Sequence, residues 1–134
     1  MIAPALVAIV LLASPAAAPE PAPPLACRLD ALTAAQRERH RSLSEKLVGA
    51  VVSARELADG WEISLDLSKI RDAKGSPYCV IELAEWVDLE SRCCPFVDFG
   101  IDTSGRGGPV RLRLTGAEGV KELIASEVPM LARK

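Results

Sequence analysis

The first segment with a clear pattern has apolar residues at the three- and four-residue spacing of an amphipathic helix. Thr33 followed three residues later by Gln36 is a capping-box pattern, which marks a helix start. His40 and Leu43 continue one face of that helix. We therefore expect a helix over about residues 34–48, with His40 facing inward. The charged residues of this segment fall mainly on the solvated side: Arg37, Glu38, Arg39 and Arg41.

After this helix the period of the pattern changes to two residues, which is the period of a strand. Trp61, Ile63 and Leu65 alternate with polar residues, so one face of this strand is expected to be buried. Asp59-Gly60 before it is a turn signal, and the segment AVVSARE precedes that turn. The two segments together predict a hairpin.

A second helix is expected over residues 77–94. Ser76 followed by Pro77 is the pattern of an N-cap and a proline in the first helical position. Pro95 disfavours helix in the residue before it and predicts the helix end.

A second pair of alternating segments follows, joined by the glycine-rich loop TSGRGGP. The loop has no Lys-Ser/Thr step and opens no helix, so it predicts a hairpin connection and not a phosphate-binding loop. The inward positions of the two strands are Val97, Phe99 and Ile101, then Val110, Leu112 and Leu114.

The last periodic segment predicts a third helix. Thr115 and Glu118 form a second capping-box pattern, and Pro129 is expected to end the helix. Its inward residues are Val120, Leu123 and Ile124.

The element order is therefore helix, two strands, helix, two strands, helix (αββαββα). This order predicts an α+β domain, with a four-stranded antiparallel sheet of two hairpins and helices packed on one face. A length of 134 residues suits a single domain, which we assign to residues 27–134.

The first residues form a leader rather than part of the domain. The apolar run from Ala5 to Ala13 is too short to cross a bilayer as a helix, which needs about 20 residues. It fits the core of a secretory signal peptide over residues 1–18, with a mature start between Ala17 and Pro19. Residues 19–26 then form a Pro/Ala-rich linker. The protein is expected in the periplasm or outside the cell, or in the cytoplasm if the leader is not cleaved.

The nearly balanced charge of the chain limits the kinds of partner it is expected to bind. Lys and Arg number 16 and Asp and Glu number 18, so no strongly basic surface is implied. Nucleic acid is therefore not expected as a partner. No stable membrane span is expected either, and the sequence does not identify a protein partner.

The four cysteines are the main candidate chemistry, and their spacing limits the disulfides. An even number in an exported protein indicates disulfides. Cys79 and Cys93 would lie about 21 Å apart along one helix, which is beyond the reach of a bridge. A bond between the neighbours Cys93 and Cys94 would close a strained ring. At most one disulfide is comfortable, and it joins Cys27 to one of the other three.

A reactive thiol at residues 93 and 94 is not expected. The C-terminal end of a helix and Glu90, one turn earlier, both place negative charge there and disfavour a thiolate. A soft cation reverses this effect because it stabilises thiolates. The candidate metal ligands for zinc or copper(I) are Cys27, His40, Cys93 and Cys94. Glu90 would then support the ligands without binding the metal.

The leading hypothesis is an exported, non-enzymatic domain that binds a soft metal through this Cys/His cluster. One alternative is a structural or partner-binding module whose thiols are buried or form a single disulfide. Another is a thiol–disulfide redox protein. No credible Ser/His/Asp set is found around the one histidine, His40.

Several segments resemble a family of small bacterial proteins of uncharacterised activity. The most specific is Glu-x-x-Cys-Cys-Pro-Phe, which corresponds to residues 90–96, and the likeness extends over residues 26–127. Cys27, Arg39, His40 and Gly116 also match, whereas Cys79 does not belong to the pattern. The resemblance implies one domain of this architecture and singles out the same cysteines and histidine, without implying a reaction.

Overall fold

The computed structural model describes residues 25–103, 108–128 and 131, and these form the expected α+β arrangement of helices and strands. The elements in chain order are α1 (Ala34–Ala50), β1 (Val51–Glu56), β2 (Gly60–Leu65), α2 (Val80–Cys93), β3 (Val97–Thr103), β4 (Val110–Gly116) and α3 (Val120–Glu127). Short 3-10 turns lie at Leu29–Ala31, before α1, and at Leu67–Lys69, after β2.

The four strands form one antiparallel sheet in the order β1-β2-β4-β3. Each hairpin pairs its own two strands, and β2 joins the hairpins by pairing with β4. Ile63 on β2 lies opposite Leu112 on β4, and Phe99 on β3 lies opposite Leu114 on β4. This register places the inward residues of the central strands on one face.

The core lies between that face of the sheet and the helices. Ile63, Leu65, Leu112 and Leu114 are all buried there. The helix α1 packs against α2, α2 contacts β3, and α3 contacts both β2 and β4. Burying the apolar face of each helix against a single sheet is the expected solution for this element order.

The first helix begins where the sequence predicts. The Thr33 hydroxyl accepts the backbone N–H of Gln36, and the Gln36 side chain accepts the N–H of Thr33. The helix runs two residues beyond the expected end, because Ala50 is fully buried in the core together with Leu43.

The second helix begins three residues later than predicted, at Val80 instead of Pro77. Pro77 instead bridges to Arg71, and the N–H of Tyr78 donates to the carbonyl of Ile70 at 3.0 Å. Tyr78 is 5% exposed, so its burial holds this segment extended. A tertiary contact thus overrides the local proline signal.

The capping box predicted at Thr115 and Glu118 is also wrong. Thr115 belongs to β4, and the N–H of Gly116 donates to Asp59 at 3.1 Å. Gly119 caps α3 instead, at a φ of 90°, a backbone conformation that glycine adopts without a steric penalty. Pro129, expected to end this helix, lies outside the described residues.

The predicted signal peptide, most of the predicted linker and part of the glycine-rich loop lie outside the described residues as well. Within residues 25–103, 108–128 and 131, no helix has the length and apolar character that a bilayer crossing requires.

Candidate thiol site

The N-terminal segment lies against the end of α2 and brings two cysteines together. The backbone N–H of Arg28 donates to the carbonyl of Cys93 at 2.7 Å. Cys94 caps α2, with its own N–H donating to the carbonyl of Glu90. As a result the Sγ atom of Cys27 lies 2.7 Å from the Sγ atom of Cys94.

The two cysteines of this pair differ in access to solvent. Cys27 is exposed, whereas Cys94 is 3% exposed and Cys93 only 1%. A thiol reagent or a partner protein would therefore reach Cys27 first.

Glu90 connects the thiol pair to His40. The Cys94 thiol donates a weak hydrogen bond to Glu90 Oε1 at 3.4 Å. The other carboxylate oxygen, Oε2, contacts Nε2 of His40 in a short hydrogen bond. Both side chains are about one-fifth exposed or less, so this contact is largely shielded from solvent. Cys27, Cys94, Glu90 and His40 thus form a continuous chain of contacts.

The inward orientation of His40, which the sequence predicts, is fixed by two further contacts. The imidazole stacks on the Trp86 indole, with ring centres 6.2 Å apart and planes 17° apart. The indole N–H of Trp86 donates to the Ser44 hydroxyl at 2.9 Å, and that hydroxyl donates to the carbonyl of His40. These contacts join α1 to α2 at the level of the site.

The two buried thiols disfavour the thiolate, the direction that the sequence predicts, but the main cause is burial and not the charge of Glu90. Burial raises the pKa of the Cys94 thiol well above its usual range, and the hydrogen bond to Cys27 and the charge of Glu90 act in the same direction. Burial also raises the pKa of Cys93, with added contributions from the charges of Glu90 and Cys27. Neither thiol is therefore a nucleophile near neutral pH unless the environment of the site changes.

Cys79 lies at the opposite end of α2 from this pair. It caps the helix start, where its backbone N–H and its thiol both donate to Glu82. The 14 residues of α2 separate it from Cys94, a length of about 21 Å at 1.5 Å per residue. Cys79 therefore cannot take part in the thiol site.

The four predicted metal ligands lie in one region but are not arranged as a ready-made coordination set. Cys27 and Cys94 are in contact, Cys93 lies beside them in the core, and His40 contacts Glu90 rather than a sulfur. In the part of the chain that the structure describes, no three His, Cys, Asp or Glu side chains form a group that could hold a metal ion. Metal binding at these positions stays a prediction.

Two adjoining cavities open beside the site. The first, of about 70 Å³, is lined by Cys27, Cys94, Phe96, Phe99 and Leu123, among others. The second, of about 250 Å³, extends under α1 past His40 and Leu47. Both are also lined by Trp86, Glu90, Leu114, Glu127 and Val128, so they run along one groove.

The sequence did not indicate this groove. Glu127 carries no local signal, because its place at the groove depends on how α3 packs against the sheet. Trp86 is one helical turn before Glu90, a spacing that could have placed it at the site.

No family model, curated protein or solved structure matches this chain, so the resemblance in the Cys-Cys-Pro-Phe segment stays a prediction and function is argued from the geometry of the thiol site.

Proposed function

We propose that Cys27 and Cys94 form a thiol–disulfide centre, which alternates between a dithiol and a disulfide in exchange with an external thiol or disulfide. The observation that carries this proposal is the 2.7 Å separation of the two sulfur atoms. Bond formation requires only a small side-chain adjustment, since sulfur atoms in a disulfide are about 2.05 Å apart.

The unequal exposure of the two cysteines gives each a separate role. In the oxidised protein, an external thiolate attacks the exposed Sγ of Cys27. The bond between Cys27 and Cys94 breaks, and the Cys94 sulfur leaves as a thiolate that takes up a proton. A second external thiol then releases Cys27 and forms the external disulfide. Two electrons and two protons pass to the protein in one cycle.

Glu90 and His40 support the buried half of the pair. Glu90 Oε1 is 3.4 Å from the Cys94 sulfur, which makes it the nearest carboxylate for the proton that Cys94 gains and loses. The contact between Glu90 and His40 holds this carboxylate in place. Burial raises the pKa of the Cys94 thiol, which makes Cys94 a poor leaving group and slows the reductive opening of the disulfide.

The experiment is a redox titration of the purified protein in glutathione buffers of graded ratio. Free thiols are alkylated at each ratio and counted by mass, with peptide mapping to identify them. We expect Cys27 and Cys94 to lose reactivity together in one reversible step, while Cys79 remains alkylated throughout. Cys94→Ser should abolish the step. Free Cys27 and Cys94 thiols at the most oxidising ratio would rule the proposal out.

A second candidate function, soft-metal binding, is favoured by the crowding of thiols and negative charge. Burial raises the pKa of Cys93, and the charges of Glu90 and Cys27 add to this; a bound cation would relieve the unfavourable charge interactions. Copper(I) or zinc would then bind Cys27, Cys93 and Cys94, after side-chain rotation, with His40 as a further ligand.

Metal analysis of protein purified without chelator separates the two candidates. Metal binding predicts about one ion per chain, and loss of that ion in Cys93→Ser. The thiol–disulfide centre predicts that Cys93→Ser titrates like the wild type, because Cys93 takes no part in the exchange. Protein without stoichiometric metal would exclude the second candidate.

Export of the protein belongs to the same proposal, since disulfides persist in oxidising compartments. Intact-mass measurement on protein from the native cell envelope should show a chain that begins between Ala17 and Pro19. A full-length chain recovered from the cytoplasm would contradict export.

A further inference from the structure

We propose that the groove beside the thiol pair selects the substrate of the thiol–disulfide centre, and that this substrate is a small thiol or disulfide with a short apolar arm and a positive charge. The inference rests on the proposed function, because it names the class of molecule that Cys27 would meet. It is carried by the shape, the lining and the charge of the two cavities.

The groove starts at the reacting sulfur atoms. Cys27 and Cys94 both line the smaller cavity, and aromatic and aliphatic side chains form its wall: Phe96, Phe99, Leu123 and Ile124. A molecule whose sulfur contacts Cys27 would therefore lie with its neighbouring carbon atoms against apolar surface.

The size of the groove sets an upper limit for the arm. A cavity of about 150 Å³ accommodates one benzene ring. The smaller cavity, at about 70 Å³, holds a few methylene groups, and the larger, at about 250 Å³, leaves room for a terminal group. An unbranched arm of a few carbon atoms fits this space.

The charge of the groove gives the sign of that terminal group. Two acidic residues, Glu90 and Glu127, line both cavities, and no Lys or Arg of the described residues lines either one. His40, which lines the larger cavity, already contacts Glu90. Glu127 makes no ion pair with any residue that the structure describes. A cleft with apolar walls and charges of one sign concentrates ligands of the opposite sign.

The reaction with such a disulfide is balanced. The Cys27 thiol loses its proton to solvent, and its sulfur attacks one sulfur of the substrate disulfide. A mixed disulfide forms on Cys27, and the other half leaves as a thiolate that is protonated by solvent. Cys94 then passes its proton to Glu90 and attacks the Cys27 sulfur, which closes the Cys27–Cys94 disulfide. The second half of the substrate leaves as a thiolate and is protonated.

The test compares three small disulfides of different charge on reduced Cys94→Ser protein, in which the mixed disulfide on Cys27 accumulates. The probes are cystamine (cationic), 2-hydroxyethyl disulfide (neutral) and dithiodiglycolate (anionic). The rate of each probe with the protein is divided by the rate of the same probe with a peptide of residues 25–30. This division removes differences in intrinsic reactivity among the three probes. Cys79 is replaced by serine throughout, so that Cys27 is the only accessible thiol.

We expect cystamine to react about tenfold faster than the neutral probe after this normalisation, and the anionic probe to react more slowly. Glu127→Gln should remove most of the preference. Glu122→Gln is the matched control, because it removes the same charge from α3 at a position outside the groove lining. High salt should also reduce the preference.

Equal normalised rates for the three probes, or equal effects of Glu127→Gln and Glu122→Gln, would overturn the inference. The glutathione titration of the wild type does not depend on that result. The selectivity of the groove can therefore be disproved without disproving the thiol–disulfide centre. If the charge preference is present but the wild type forms no Cys27–Cys94 disulfide, the groove binds cationic thiols and the proposed function is wrong.

Discussion

The sulfur atoms of Cys27 and Cys94 lie 2.7 Å apart, although the two residues are 67 positions apart in the chain. The contact ties the start of the domain to the end of α2, next to the backbone hydrogen bond between Arg28 and Cys93. A disulfide at this contact would therefore affect the free energy of unfolding as well as the redox chemistry of the site.

The oxidised protein should be more stable than the reduced protein. A disulfide that closes a loop of this length stabilises a fold by about 2–4 kcal/mol, chiefly by restricting the unfolded chain. Urea unfolding of oxidised wild type should therefore show a free energy higher by about this amount than that of Cys94→Ser. Cys79→Ser, at the far end of α2, should match the oxidised wild type. Equal stability of oxidised and reduced wild type would mean that this bond does not form.

The reduced protein should lose stability as the pH rises above about 9, the ordinary pKa of a cysteine thiol. Folding raises the pKa of Cys93 and Cys94, chiefly through burial, so the unfolded chain releases these protons at a lower pH than the native protein does. The stabilisation is complete below the unfolded pKa and is lost as the pH rises through the folded values. Urea titrations between pH 7 and pH 10 measure this slope, and Cys94→Ala should reduce it.

An ion pair between α1 and α2 should make the protein less stable as the pH falls, whereas the buried thiols reduce stability as the pH rises. Both guanidinium nitrogens of Arg39 that face α2 donate to Glu85, at 2.8 and 2.6 Å. The hydrogen bond from Arg39 lowers the pKa of Glu85, so this contribution is present above the unfolded pKa near 4.5 and is lost as the pH falls below it.

The magnitude of that contribution is small, because both side chains are about two-fifths exposed. Exposed ion pairs contribute about 0.2–1 kcal/mol to the free energy of unfolding. In Arg39→Lys the pair with Glu85 would lose its two parallel hydrogen bonds. We expect Glu85→Gln to cost this amount at pH 7 and nothing at pH 3, as measured by urea unfolding. A cost that is the same at both pH values would contradict the ion-pair explanation.

Gly60 and Gly49 should respond to alanine with opposite signs. A methyl group on Gly60 would lie 2.0 Å from the Leu114 carbonyl oxygen, so β2 and β4 would have to move apart. Overpacking of this kind costs about 1–3 kcal/mol. Gly49 lies in α1, and apart from its chain neighbours and the backbone of its own helix no atom of the described residues lies within 4 Å of the added group. Gly49→Ala should therefore stabilise the helix by about 0.5–1 kcal/mol. Thermal unfolding of the two variants checks both signs.

The sequence by itself determined the element order and the buried face of the sheet. Strict alternation around Ile63 and Leu112 and the local capping box at Thr33 need no distant contact to be effective, so the pattern predicts the α+β fold and the start of α1. It also predicts that His40 faces inward, because helical periodicity alone decides which residues share a stripe.

Only the tertiary structure decided the features that depend on contacts between distant segments. The start of α2 moved to Val80 because buried Tyr78 pairs with Ile70. Helix α3 begins at Val120, capped by Gly119, because β4 extends to Gly116 beside Asp59. The choice of Cys94 as the partner of Cys27 has the same origin. Chain periodicity fixes the direction of a side chain relative to its own helix or strand, whereas the distance between two sulfur atoms depends on how the whole N-terminal segment packs against α2.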